Sequence, residues 1–250
     1  MTACCACGTL YEQQPESCPI CVDERQYVPA EGQRWIGWEE LLAGHEPVLR
    51  EEEGLLGVGI EPGFAIGQRA LVVDGVLWDC VPYLDDAVAE RVGSLRGIAI
   101  SHPHYYSAMV EWARAFDCPV WLHADDRNWI QRPEPRIELW EGETLSLDSS
   151  LTLVRLGGHF AGGTVLHRRE DRLLLAGDIV QVLPGGRWVG FMYSYPMLIP
   201  LPAAEVERIA AVLEDWDFDR ILGAWWGRLI AADAKEVVRR SAERYVRALG

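Results

Sequence analysis

The pattern of apolar and polar positions divides most of the chain into short strands and amphipathic helices. Two strand-like runs in residues 64–80 meet at Asp74-Gly75, a dipeptide typical of a two-residue hairpin turn. Further strand-like runs occupy residues 97–101, 118–123, 150–156, 163–168, 172–178, 187–193 and 220–226. Apolar residues at helical spacing indicate helices over residues 82–92, 108–116, 203–216 and 233–249. Strands in two groups, interrupted by helices, predict an α/β (α+β) fold of the αββα sandwich type.

The length and composition are those of a globular protein. The chain has 250 residues, of which 49% are hydrophobic, and this is enough to bury a substantial core. No segment approaches the ~18–20 consecutive apolar residues that span a bilayer, and the first residues lack the pattern of a signal peptide. We therefore expect a cytoplasmic protein that has no membrane partner.

The charge argues against nucleic acid as a partner. Asp and Glu number 38 against 23 Lys and Arg, which gives a net charge of -15. The excess is greatest in residues 1–60, where 11 acidic residues stand against 3 arginines, and no part of the chain forms a basic stripe. We expect a small-molecule substrate as the partner, and a homodimer is compatible with the sequence.

Five of the seven cysteines lie within the first 21 residues. Two C-x2-C pairs are separated by ten residues, and four thiolates at this spacing typically converge on a tetrahedral zinc ion. A disulfide pair is disfavoured inside the cell, and a redox-active C-x2-C usually occurs in a βαβ context that is lacking here. We therefore predict a structural zinc site formed by Cys4, Cys7, Cys18 and Cys21, with Cys5 as a spare or substitute ligand.

Changes of composition along the chain predict three segments. Residues 1–28 form the four-Cys zinc knuckle, a small N-terminal zinc-binding appendage. Residues 29–54 form an acidic, aromatic connecting segment, and residues 55–250 form the αββα domain. The knuckle is expected to pack against the main domain or a partner, because about 25 residues cannot build a core of their own.

Ligand-type side chains follow four of the predicted strands. They are the pair His102 and His104, then His123, His159 and Asp178. Loops at strand ends are where an α/β scaffold gathers its reactive groups. Any one of these residues alone is more often a surface or core side chain. Their joint occurrence, each after a strand, favours a metal site made of imidazoles and a carboxylate.

These segments resemble the metallo-β-lactamase superfamily of αββα metallohydrolases. The resemblance extends over roughly residues 55–230 and rests on the hairpin with Asp79, on His102-Pro-His104, on Gly-Gly-His159 and on Ala-Gly-Asp178. That family holds its first metal with two histidines of an H-x-H-x-D-H motif and a later histidine, and an aspartate bridges to a second metal. The resemblance implies that the metal ligands here are His102, His104, His159 and Asp178.

The chain departs from the family at the second metal. Tyr106 and Ser107 stand where the family has the Asp and His that hold this ion, and residues 223–228 lack the usual final His. The resemblance therefore implies one ion, zinc or iron. It places Asp178 and Tyr106 at the catalytic positions. Tyrosine is a poor base at neutral pH, so water activation would depend on the metal or on Asp178.

Three functions are compatible with such a site. The first is hydrolysis of an ester, thioester, lactone or amide by a mononuclear metal centre. The second is oxygenation of a thiol or persulfide by Fe(II), because His102, His159 and Asp178 also make a two-His-one-carboxylate set. The third is a catalytically degenerate fold that serves as a binding module through its zinc knuckle and acidic N-terminal region.

Aromatic residues near the predicted site favour a substrate pocket. Tyr and Trp carry a polar group that can bind a ligand, so they are suited to line a binding pocket. The alternative is that these residues belong to an ordinary aromatic core. Arg228 would hold a substrate carboxylate or phosphate, or form an ion pair with Asp217 or Asp219. The predicted pocket residues are Tyr193, Tyr195, Trp225, Trp226, Arg228 and His123.

Overall fold

The first half of the chain forms a seven-stranded mixed sheet in the computed structural model, which describes residues 1–250. Its strands are β4 (Glu46–Glu52), β5 (Leu55–Glu61), β6 (Ala70–Val73), β7 (Val76–Trp78), β8 (Gly97–Ala99), β9 (Val120–His123) and β10 (Ile137–Trp140). The spatial order follows the sequence, from β4 at one edge to β10 at the other. Strands β4 to β7 are antiparallel, and β7 to β9 are parallel. The ends of β7, β8 and β9 therefore point the same way.

The structure confirms the hairpin that the sequence predicts in this sheet. Strands β6 and β7 form the predicted hairpin, and both residues of its turn, Asp74 and Gly75, have positive φ as the tight turn requires. The helices beside the sheet are α1 (Trp38–Gly44), α2 (Asp86–Val92) and α3 (Met109–Phe116). Helix α2 begins later than predicted because the Asp85 carboxylate accepts a hydrogen bond from Val88 N at 2.8 Å and caps it.

The segment 29–54, predicted as a connection, contains regular structure. It holds α1, β4 and the short strand β3 (Trp35–Gly37). Strand β4 pairs with β5 over seven residues, the longest ladder in the chain. Its side chains are partly or fully exposed along their whole length, so the sequence shows no buried face that alternation could reveal.

The second half of the chain forms a six-stranded sheet. Its strands are β11 (Thr144–Ser146), β12 (Leu151–Arg155), β13 (Thr164–Arg168), β14 (Leu173–Gly177), β19 (Arg220–Gly223) and β20 (Leu229–Ile230). They lie in this spatial order, and only β14 and β19 are parallel neighbours. Helices α4 (Ala203–Glu214) and α5 (Ala234–Leu249) bury Val206, Ile209 and Val238 in the core of this half.

Two strand predictions in this half need correction. Residues 187–193 do not form one strand, because β16 (Val189–Gly190) pairs with β15 (Gln181–Val182), and β17 (Met192–Ser194) pairs with β18 (Ile199–Pro200). The run predicted over 220–226 ends at Gly223, where Gly223 N donates to Arg228 O at 2.8 Å and closes a turn. Trp225 and Trp226 therefore lie in that turn.

The chain packs as two compact units. One comprises residues 1–122 with 126–139, and the other comprises residues 123–125 with 140–250. The boundaries proposed above at residues 28 and 54 stay predictions. None of the helices combines the length and apolar character that a bilayer crossing demands.

One position of the first sheet requires glycine because an aromatic ring lies against its backbone. A Cβ at Gly97 on β8 would lie 2.1 Å from the Trp121 ring, so Gly97→Ala must displace the indole and is expected to destabilise the fold by about 1–3 kcal/mol. Urea unfolding measures this change. Gly44→Ala is the matched control, because nothing lies within 4 Å of a Cβ there. Equal unfolding midpoints for the two variants would contradict the expected clash.

Candidate metal centres

The four predicted zinc-binding cysteines lie together in the first unit. Their Sγ atoms are all within 4.8 Å of one another, with Cys4 and Cys21 at 3.5 Å and Cys7 and Cys18 at 3.6 Å. These separations are far longer than the ~2.05 Å of a disulfide, and all seven cysteines are free thiols. The spacing is that of four ligands around one ion.

Local backbone turns bring the cysteines together. Gly8 N donates to Cys4 O at 2.8 Å after the first pair, and Val22 N donates to Cys18 O at 3.1 Å after the second. The surrounding strands are β1 (Thr2–Cys4), β2 (Leu10–Tyr11) and β3, in the order β2-β1-β3. We call residues 1–28 the four-Cys module. The fifth cysteine, Cys5, is partly exposed and is outside the group of four.

A cation would stabilise the thiolate form of these buried cysteines. Hydrogen bonds from the other thiols, Cys18 first, lower the pKa of the Cys4 thiol, whereas burial raises the pKa of Cys7. Thiolates are the metal-binding form, and a buried group of them needs a positive ion beside it. Four thiolates are the donor set of structural zinc sites, so the residues present fit this metal.

The first pair of histidines follows β8. His102 and His104 are both buried, their ring centroids are 5.0 Å apart, and their ligating nitrogens are within 4.8 Å of each other. Pro103 begins a single 3₁₀ turn, Pro103–Tyr105, which projects the two rings from one short loop. Burial first, and Arg25 second, lowers the pKa of His104 to about 3. The imidazole is therefore neutral, as a metal ligand must be.

A buried carboxylate orients this loop. Asp79 follows β7 with a φ of 60°, and its Oδ1 accepts a hydrogen bond from Ser101 N at 2.8 Å. The Ser101 Oγ lies 2.9 Å from His102 Nδ1, so His102 would ligate a metal through Nε2. Ser101 was not singled out from the sequence. Its position between a strand end and a candidate ligand is the signal that could have identified it.

Tyr106 and Ser107 are buried next to the histidine pair. Burial holds the pKa of Tyr106 well above its usual range, so its phenol is protonated at neutral pH. A neutral phenol donates a hydrogen bond and cannot accept a proton from water. A catalytic role for Tyr106 stays a prediction, in which the neutral phenol would act by donating a hydrogen bond.

The second pair, His159 and Asp178, lies in the second unit. Asp178 follows β14, and its Oδ1 is 3.6 Å from His159 Nε2. His159 projects from a tight loop in which Gly157 and Gly158 have positive φ. A Cβ at Gly163 would lie 2.0 Å from Gly157 O, so the loop closes only because this residue is glycine.

Helix α4 and a tyrosine support the second pair. Gly158 N donates to the Glu205 carboxylate at 3.2 Å, and the Arg208 guanidinium donates to Leu156 O. Glu205 and Arg208 also pair with each other, so one ion pair on α4 holds both ends of the turn before His159. On the other side, Tyr195 OH donates to Asp178 O at 3.4 Å.

Comparison with known proteins places the chain in a family. No protein-family model matches it. YmaE of Bacillus subtilis (strain 168), described as an uncharacterized protein, is 45% identical over 263 aligned positions, covering 98% of this chain and 96% of YmaE. The chain belongs to the YmaE family.

Solved structures show the fold of this chain. The chain is similar to the DIM-1 metallo-β-lactamase (TM-score 0.61, 15% identity, 82% of this chain and 99% of that one). It is also similar to the mono-zinc form of metallo-β-lactamase FIM-1 from Pseudomonas aeruginosa (TM-score 0.58, 15% identity, 80% and 96%). A peroxy diiron species of the chemotaxis sensor ODP gives a TM-score of 0.53 at 16% identity, over 82% and 94%. The predicted metallo-β-lactamase fold is confirmed.

The predicted pocket residues of this YmaE-family chain differ in their surroundings. Trp225 and Arg228 line a cavity of about 200 Å³ together with Gln181, Val182 and Pro184. Tyr195 packs edge-on to His159 with ring centroids 6.3 Å apart, whereas Tyr193 packs on the apolar core. Trp226 is half-buried in the turn that follows β19.

The His123 ring is held by contacts with nearby residues of this YmaE-family chain. Its Nε2 lies 3.0 Å from Gly142 O, and its Nδ1 accepts a hydrogen bond from Asp125 N at 3.2 Å. Its ring packs edge-on to Trp140 at 4.4 Å. Both ring nitrogens are thus engaged by the backbone, and a pocket role for His123 stays a prediction.

The raised pKa of Asp79 predicts how the stability of this YmaE-family protein depends on pH. Burial, partly offset by the Ser101 hydrogen bonds, raises its pKa from 3.8 to about 7. Between about pH 4 and pH 7, the folded state therefore keeps a proton on Asp79 that the unfolded state has lost. As a result, the free energy of unfolding falls as the pH rises through this range. The fall contributed by one such group is at most about 1.4 kcal/mol per pH unit.

Asp79→Asn is expected to remove this contribution, because the amide oxygen still accepts from Ser101 N and carries no charge. Urea unfolding of the metal-free protein at about pH 5 and pH 7 measures the difference for both proteins. The fall on raising the pH should be smaller in the variant. If both proteins show the same fall, Asp79 does not titrate as described.

Proposed function

We propose that the chain is a metal-dependent hydrolase with a single catalytic ion. The observation that carries this proposal is that buried ligand-type side chains follow strands of both large sheets, His102 and His104 after β8, His159 after β12 and Asp178 after β14. Imidazoles and a carboxylate are donors that zinc accepts. From the fold likeness and the order of these residues, we infer that the two pairs share one ion.

One ion, rather than two, is favoured by the chemistry of the remaining positions. Tyr106 offers a protonated phenol and Ser107 a hydroxyl, where dinuclear relatives have Asp and His. The turn at residues 223–228 contains neither an imidazole nor a carboxylate. None of these groups is a usual ligand of a hydrolytic zinc ion.

The site residues divide the chemistry among them. A zinc ion bound there would supply Lewis acidity, polarising a carbonyl or phosphoryl oxygen and making water more acidic. His104 binds as a neutral imidazole, and Ser101 fixes the His102 ring. Asp178 is the carboxylate that can accept a proton, and its loop is held by Tyr195. Tyr106 can donate a hydrogen bond to substrate. Suitable substrates are small esters, thioesters, lactones or amides.

We also propose that the four-Cys module binds a structural zinc ion. The compact group of four buried sulfur atoms supports this assignment. The module has a small apolar core of its own, in which Tyr11 and Ile20 pack with the cysteines. A metal would replace the larger core that such a short segment cannot build.

A second candidate is an Fe(II) oxygenase acting on a thiol or persulfide. The similar fold of ODP, described with a peroxy diiron species, favours it, as does the two-His-one-carboxylate set His102, His159 and Asp178. Iron content after anaerobic purification, and O₂ consumption with thiol substrates, test this alternative. Absence of iron under those conditions would eliminate it.

Metal analysis of the purified protein tests the proposal. We expect about two zinc ions per chain, one of which is lost in a His102→Ala/His159→Ala variant and the other in Cys7→Ser/Cys18→Ser. His45→Ala is the matched histidine control and should keep both ions, because His45 lies outside the two pairs. One zinc per chain that survives the double histidine change would refute the catalytic site.

Turnover separates the hydrolase from a degenerate binding module. Screening small ester, thioester and lactone substrates should reveal metal-dependent hydrolysis. Asp178→Ala is expected to lower kcat/KM at least about 100-fold, because it removes both a ligand and a proton acceptor. Hydrolysis that persists at the original rate in Asp178→Ala would show that the activity arises elsewhere.

A further inference from the structure

The four-Cys module touches the loop that carries the first histidine pair, within the same unit. Leu10 N of the module donates a hydrogen bond to Ser107 O at 3.2 Å. A Cβ at Gly8 would lie 3.2 Å from Pro82 Cγ, so the module backbone also lies tightly against the segment after β7. Both the metal-binding loop and the strand end that supports it are thus contacted by the module.

Arg25 attaches the module to a second segment of the same unit. Its guanidinium donates to the Asp23 carboxylate at 2.8 Å and lies 4.8 Å from the Trp129 ring centroid. Arg25 therefore fastens the module to Trp129 by a cation–π contact.

Two further contacts fix the module to the same region. Trp129 packs against the apolar cluster formed by the cysteines and their neighbours. Arg132 lies 3.9 Å from Glu12 of the module and binds Glu111 of helix α3 at 2.7 Å. Helix α3 begins directly after Ser107 and Ala108, so these contacts reach the same loop from its other end.

We propose that the four-Cys module positions the His102–His104 loop, so that metal bound by the cysteines raises the affinity of the histidine site for its own metal. Metal at the cysteines fixes Leu10 and Arg25. Leu10 holds the loop from Pro103 to Ser107 through its hydrogen bond to Ser107 O, and Arg25 keeps the module attached to Trp129, so that both imidazoles stay in the geometry that presents them. The inference rests on the proposed function in taking His102 and His104 as ligands. Arg25 acts as a positioning residue.

The coupling has a definite expected size and must be reciprocal. Loss of groups that orient metal ligands typically weakens metal binding about 10- to 100-fold. If metal at the cysteines strengthens binding at the histidines, metal at the histidines strengthens binding at the cysteines by the same factor. Both affinities can be measured without any substrate.

Cobalt titration of the metal-free, reduced protein tests this inference. Cobalt bound by thiolates absorbs strongly in the near ultraviolet, whereas cobalt bound by imidazole and carboxylate gives weaker visible bands, so the two sites are followed separately. The variants are Cys18→Ser/Cys21→Ser, which removes the module's metal, and Arg25→Gln, which keeps it. Cys5→Ser is the matched control, because its thiol is outside the group of four.

We expect the cobalt Kd of the histidine site to rise about 10- to 100-fold in the double cysteine variant. It should rise severalfold in Arg25→Gln, with a shift of the visible bands, and stay unchanged in Cys5→Ser. If the double variant fails to fold by circular dichroism, Arg25→Gln and the reciprocal affinities decide the matter.

An unchanged Kd and unchanged bands in Arg25→Gln, together with cysteine affinity that is independent of histidine loading, would overturn the inference and leave the proposed function intact. Absence of any histidine-bound cobalt in the unaltered protein would overturn the proposed function, and the inference with it.

Discussion

Burial of ionisable side chains is the constraint on which the rest of this structure depends. Imidazole, thiol and carboxylate groups lose hydration when they are buried at strand ends, and that loss is large unless a partner of opposite charge is present. The fold meets this constraint by local devices. Ser101 holds one imidazole, the pKa of His104 is lowered so that it stays neutral, and Tyr195 supports the Asp178 loop.

Backbone geometry follows from the same constraint. Side chains can converge only if the strands end sharply, and the residues after them adopt conformations that ordinary chains avoid. Asp79 and Ser107 have positive φ although neither is glycine, and such strain is typical of functional loops. Around His159, three glycines allow the tight loop without such strain, and a side chain at Gly163 would collide with the backbone. The two pairs are thus built by different means.

Elements with local signals were predictable from the sequence, and elements with distant partners were not. The Asp74-Gly75 hairpin, helices α2 to α5 and the strands before each candidate ligand carry their signals in a few adjacent residues. Strand β4 lacks a buried face, and the short strands around Phe191 are defined by partners far along the chain. Arg25 and Trp129 are about 100 residues apart, and no spacing rule connects such a pair.

The separation in sequence of the module from its contacts has a consequence for folding. Leu10 meets Ser107, and Arg25 meets Trp129, only after loops of about 100 residues have closed, which is entropically unfavourable and slow compared with forming a hairpin. We therefore expect the module to dock late in folding and to detach early in local unfolding. A metal ion bound as proposed between Cys4 and Cys21 would act as a cross-link that keeps the detached segment compact and ready to dock again.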